Sequence, residues 1–229
     1  MKGKKQAWYV IASVLFCAGL MSVVDGVLQP QYAVKSAIKV AVFLLIPMGY
    51  FLVNREERQR IKGLFAPKKK ELLRSLLLGL AVYGVILGGY LLLRGVVDFS
   101  SIAGQLTEGA GVSAENFVFV ALYISFANSL LEEFFFRGYA FLTLKGMTSR
   151  PFAYCFSSAL FALYHLGMTA GWFDPLIWLL SLAGLFVGGC LFDWLNEKSG
   201  TIYGSWLVHM FANFAINTVG FILFGILPI

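Results

Sequence analysis

Seven stretches of the chain stay apolar for close to the length of a membrane-spanning helix, and that recurrence restricts the fold more than any other feature. A helix rises about 1.5 Å per residue, so about 20 apolar residues cross a hydrocarbon layer of about 30 Å. By that ruler helices are expected near 7 to 24, 36 to 53, 75 to 93, 117 to 142, 151 to 167, 175 to 195 and 201 to 227. The last is long and contains Gly220 and Gly225, so it could break into a helix and a short eighth piece. With 229 residues that are 59% hydrophobic and only 13% charged, a water-soluble core cannot hide this much apolar surface. The expected fold class is all-α, a polytopic transmembrane helix bundle of seven helices, or eight if the final segment breaks.

The net charge of +6 is a property of the loops. With the N-terminus taken as inside, the inner flanks hold Lys2, Lys4, Lys5, Arg55, Arg58, Arg60, Lys62, Lys68, Lys69, Lys70, Arg74, Lys145, Arg150 and Lys198. The outer flanks hold only Lys35, Lys39 and Arg94. Cytoplasmic flanks are the basic ones, so the expectation is a multi-pass protein of the cell membrane with a cytoplasmic N-terminus. These charges sit beside apolar segments and form no aromatic-interleaved patch, which argues against nucleic acid. The segment from Asn54 to Arg74 reads as a topology anchor that also attracts anionic headgroups. The outer loop from Arg94 to Glu115 is polar and suits a mobile cover.

The basic start and apolar run could imitate a signal peptide, but no convincing small-residue cleavage site follows, so a first transmembrane helix is expected. Cys17, Cys155 and Cys190 are odd in number, widely spaced and embedded in apolar sequence, which indicates packing thiols. Gly84 with Gly88, and Gly184 with Gly188, place small residues at four-residue spacing and are expected where helices approach closely. The chain divides into 1–115, N-terminal helices and the cytoplasmic loop, and 116–229, the helices that carry the polar residues, within one integrated bundle.

Charges inside such segments are costly and mark function by default. Glu132, Glu133 and Arg137 lie in the run from Phe117 to Leu142, and the only two histidines, His165 and His209, lie in two later runs. At about 100° per residue, Arg137 stands about 40° around the helix from Glu133 but about 140° from Glu132. Glu133 and Arg137 are therefore expected to pair, leaving Glu132 unpaired beside Asn128 and suited to general acid–base work. Thr201, Ser205, His209, Asn213 and Asn217 recur every fourth residue, so one polar stripe should face protein or water. His209 and Asn213 could aim two donors at one developing negative charge. Phe161 sits one turn before His165, where its ring could fix the imidazole rotamer. Each of these residues could alone be interhelical glue or a satisfied core group; together they point to chemistry.

Three motifs then stand in order. Glu132-Glu133-Phe134-Phe135-Phe136-Arg137 fits EExxxR, Phe161-Ala162-Leu163-Tyr164-His165 fits FxxxH, and His209-Met210-Phe211-Ala212-Asn213 fits HxxxN. Over about half its length, from Asn116 to Thr218, the chain resembles the CPBP family of intramembrane glutamic endopeptidases, which includes type II CAAX prenyl proteases and bacteriocin-processing or immunity proteins. The resemblance implies a catalytic set of Glu132, His165, His209 and Asn213. In it Glu132 would activate water with help from His165, and His209 and Asn213 would stabilise the oxyanion. Glu133 and Arg137 would support the site, and no cofactor would be needed.

Two other readings stay open. Two histidines and a glutamate are a known zinc set, although HExxH is missing and Asn213 is a poor zinc ligand. A membrane immunity or scaffold protein could keep the cluster for packing alone. For an enzyme, the expected partners are a peptide or membrane-protein substrate and the lipid bilayer, and removing the unpaired Glu132 or His165 should stop proteolysis without unfolding the bundle.

Overall fold

The computed structural model describes residues 2–165 and 175–228. Positions 166 and 167 of the fifth expected span, and Trp172, lie outside the described residues. Among these residues the chain folds as nine helices and no strand. They are α1 (Gly3–Leu28), α2 (Tyr32–Val53), α3 (Arg55–Leu64), α4 (Lys69–Leu93), α5 (Ser100–Ala110), α6 (Phe117–Lys145), α7 (Arg150–Tyr164), α8 (Pro175–Ser199) and α9 (Tyr203–Leu223). Six of them, α1, α2, α4, α6, α8 and α9, are long and apolar enough to cross a membrane. The span expected near 151 to 167 appears as α7, whose described part is 15 residues long. The last span does not break in two: α9 runs through Gly220, and Gly225 follows it with φ 68°.

Local chemistry sets the helix ends. Asn54 adopts an extended conformation between α2 and α3, and both its backbone amide and its side-chain amide donate to the Tyr50 carbonyl, closing the last turn of α2. Charged α3 carries Glu56 and Glu57 in its first turn and Lys62 in its last, the arrangement that complements the helix dipole. Ser149 caps α7 by accepting from the Phe152 amide, with Pro151 in the first turn. The outer loop, expected as a polar cover, is built around α5. Ile102 is buried, Leu106 packs beside Val112 and Phe117, and Gly111 ends the helix in a left-handed conformation at φ 67°.

The basic ends gather at one end of the bundle. Gln6 donates to Asn54, Arg60 to Thr143, and Lys68 to the Ser199 carbonyl, while Lys145 and Arg150 both meet Glu197. The Ile202 amide bonds the Leu64 carbonyl, tying the start of α9 to the end of α3. At the opposite end Lys35 pairs with Asp25 at 2.8 Å, and Phe117 packs against Phe221 and Phe224. Between them lies an aromatic core in which Phe43 stacks on Phe135 at 3.9 Å and meets Phe136 and Tyr164 edge-on or tilted.

The small-residue contacts fall elsewhere than the four-residue spacing predicts. A Cβ on Gly84, Gly88, Gly184 or Gly188 would meet nothing within 4 Å. Spacing alone does not say which face of a helix meets a neighbour. Close approaches are instead at Gly79, where a Cβ would stand 2.7 Å from the Phe211 ring on α9, at Gly189, where it would stand 3.0 Å from the Ser158 backbone, and at Gly220, where it would run into the Phe117 ring on α6. Gly79→Ala is therefore expected to cost about 1–3 kcal/mol by overpacking. Gly84→Ala should change stability by less than about 0.5 kcal/mol. Thermal unfolding in detergent micelles measures both, and equal midpoints for the two variants would contradict this packing.

Two stretches of α6, Ile124–Asn128 and Glu133–Phe141, are wound as π-helix, as is Ala41–Leu45 in α2. Bonding to the fifth residue widens the helix to more than four residues per turn, so residues four apart come almost into line. That brings Glu133 above Arg137. Such wide turns concentrate at functional sites.

Candidate active site

Five helices deliver charged or polar side chains to one buried place. From α6 come Glu132, Glu133 and Arg137, all at most 1% exposed. From α8 comes Asp193, from α9 His209, from α7 Ser157 and Ser158, and from α2 Lys39, while half-buried His165 lies just past the end of α7. Three acidic side chains thus lie beside one lysine, one arginine and an imidazole.

Glu133 is the hub of its lower half. Its Oε1 lies 3.3 Å from Arg137 Nη1 and accepts from His209 Nδ1 at 2.9 Å. Arg137 Nε lies 3.5 Å from Asp193 Oδ1, and the Asp193 oxygens accept from the Ser157 and Ser158 hydroxyls at 3.0 Å each. The close approach of α7 and α8 at Gly189, one turn before Asp193, makes the bond to Ser158 possible. Phe161 and Phe192 cover the Arg137 guanidinium, with their ring centres 4.1 and 4.9 Å from its central carbon. At about 3.3 Å and an effective dielectric near 20, one such ion pair is worth about 5 kcal/mol. That is close to the several kcal/mol that dehydrating each ion costs. The cluster therefore fixes geometry more than it stabilises the fold.

Glu132 is not unpaired. Its Oε1 accepts from the Lys39 ammonium and from Asn128 Nδ2 at 3.1 Å, and Lys39 also donates to Asn128 Oδ1 at 2.5 Å. The shared face of Asn128 and Glu132 is thus present, but the freedom expected of Glu132 is not. Lys39, counted by loop position among the outer flanks, is 5% exposed and inside the bundle. Glu132 Oε2 lies 3.6 Å from His209 Nε2, beyond a direct hydrogen bond. Atoms at that spacing can share one water.

The polar stripe of α9 is buried along its whole length. His209 alone in it reaches the carboxylates. Ser205 accepts from Asn196, Asn213 Nδ2 donates to the Ile124 carbonyl at 3.1 Å, and Asn217 donates to Ala121 O and Ser125. Asn213 is therefore one turn from His209 but turned to the backbone of α6. His165 Nδ1 lies 2.7 Å from the Phe161 carbonyl, which can only accept, so the proton sits on Nδ1 and Nε2 is the basic nitrogen of the neutral ring. The Phe161 ring stands edge-on to it at 4.8 Å, and His165 lies within electrostatic reach of Glu132, Lys39 and His209.

Sequence reasoning missed Lys39 and Asp193. The rule that singled out Glu132 also covers Asp193, an acid inside the apolar segment 175 to 195. The described residues contain no group of three or more His, Cys, Asp or Glu arranged to hold a metal ion. Of the thiols, Cys17 is buried, Cys190 half-buried and Cys155 exposed on α7.

Fold and site together define a polytopic helical membrane protein with a buried, many-helix charge cluster. Residues 114–215 match the model of the family described as type II CAAX prenyl endopeptidase Rce1-like, so a little under half of the chain is similar to that family. The matched family is one of proteases, which are hydrolases. No curated protein and no solved structure matches the chain.

Proposed function

We propose that the protein is an intramembrane endopeptidase that hydrolyses a peptide bond of a membrane-associated peptide or membrane-protein segment with a water activated by Glu132. The observation that carries this reading is the meeting of buried Glu132 with buried His209, within the stretch that matches the family. Glu132 Oε2 takes a proton from the water as its oxygen attacks the carbonyl carbon, and His165 Nε2 assists. The tetrahedral oxyanion is met by His209 and by Asn213, which exchanges its bond to Ile124 for one to the intermediate. Collapse breaks the C–N bond, the proton held by Glu132 passes to the leaving amine, and the carboxylate is restored. Glu133, Arg137 and Asp193 hold His209 and α6 in register. No step calls for a metal or cofactor.

The gathering of basic residues at one bundle end supports a multi-pass protein of the cell membrane with that end, and the N-terminus, in the cytoplasm. The test compares membrane-associated peptides from cells making the wild-type chain or Glu132→Ala. New peptide termini present only with the wild type are expected. Identical peptide sets would refute proteolysis and leave a scaffold or immunity role. Purified protein stripped of metal by a chelator should still cleave, whereas activity restored only by zinc would replace this mechanism.

A further inference from the structure

The closest polar contacts of Glu132 come from a residue outside the matched stretch and from a neighbour on its own helix. We infer that Lys39 is a positioning residue of the active site: with Asn128 it holds Glu132 Oε1, so that Oε2 is left as the oxygen that handles the reacting water. The inference rests on the reading of Glu132 as the base.

Lys39 sits seven residues into α2, and beyond its two side-chain acceptors its ammonium faces the rings of Tyr164 and Phe43, at 4.9 and 5.6 Å. Both its acceptors belong to α6, four residues apart across the junction that follows the first π-turn. Asn128 accepts from Lys39 through Oδ1 and donates to Glu132 through Nδ2, so the three side chains close a ring of hydrogen bonds. Two donors on Oε1 fix the carboxylate plane. Only Oε2 points toward His209.

A purely structural staple is the rival reading. It has a weakness: a buried ion pair is poor value for stability, and apolar residues of the same volume often serve as well or better. A cation on the far oxygen of a base gains its worth from aiming the near one. A lysine that only stapled α2 to α6 would leave turnover unchanged in variants that still fold.

The test uses the purified full chain in detergent micelles and an internally quenched peptide spanning the cleavage site found in the cell comparison above. Lys39→Met should lower kcat about 100-fold while KM stays within about threefold, the pattern of a lost transition-state contribution. Asn128→Leu, which removes one donor without changing charge, should lower kcat about tenfold with KM unchanged, and it decides the matter if Lys39→Met yields no folded protein. In thermal unfolding, Lys39→Met and Glu132→Gln should each lower the midpoint, and the double variant should lose less than their sum. Wild-type kcat in folded Lys39→Met, or in Asn128→Leu, would overturn the inference, as would strictly additive midpoints. If Glu132→Gln itself turns over normally, or no cleavage site is found, the proposed function falls and this role with it. An inactive Glu132→Gln beside an active Lys39→Met removes the role of Lys39 alone.

Discussion

Arg137→Met is expected to reduce the stability of the bundle by about 3–5 kcal/mol, because it strands two fully buried acidic side chains at once. Arg137 is fully buried, with Glu133 and Asp193 at 3.3 and 3.5 Å and two phenylalanine rings against its guanidinium. Methionine is shorter but flexible and apolar, so most of the loss is charge rather than cavity. The measurement is thermal or denaturant unfolding of purified protein in micelles. Adding Glu133→Gln and Asp193→Asn to Arg137→Met should recover much of the loss, since the cluster is then removed as a unit. A variant that melts with the wild type would show that these contacts carry no weight in the folded protein.

Glu132→Gln is expected to lower kcat by about 10²–10⁴-fold, the range of a lost general base. Glutamine keeps the size and one acceptor but cannot take up the water's proton. The same variant should also melt lower than the wild type, because Lys39 keeps its charge and loses its anion. This second effect separates the structure from the sequence reading, in which an unpaired Glu132 could be removed without unfolding the bundle. Turnover of the quenched peptide and the melting midpoint, taken on one preparation, read both effects. Full turnover with a lowered midpoint would leave Glu132 as a structural acid only.

The spans were legible because hydropathy over about twenty residues is a strong signal, and the Glu133–Arg137 pair because it is local to one helix. That Thr201, Ser205, His209, Asn213 and Asn217 share one face turned from the lipid followed from period alone. Lys39 was hidden for a physical reason: its partner is 93 residues away, and a lysine near a helix end is normally drawn to the interface rather than inward. The π-turns carry no pattern that a period of 3.6 can reveal, yet they set which α6 residues line up. Small-residue spacing picked out Gly84 and Gly184 where the contacts use Gly79 and Gly189, since a spacing rule does not contain the partner helix.

The distribution of ionic groups along the chain bears on how the protein can be made. Synthesis runs from the N-terminus, and α2 has already delivered an ammonium by the time α6 leaves the ribosome with its acids. Glu132 then finds Lys39 waiting, and Glu133 arrives with Arg137 on the same turn of helix. Asp193 comes next, to a guanidinium already in place, and the imidazole of 209 comes last. Glu132 and Asp193 thus reach the lipid phase with a countercharge already there, whereas the ammonium of Lys39 goes in ahead of its carboxylate and is the ion the insertion machinery has to shelter.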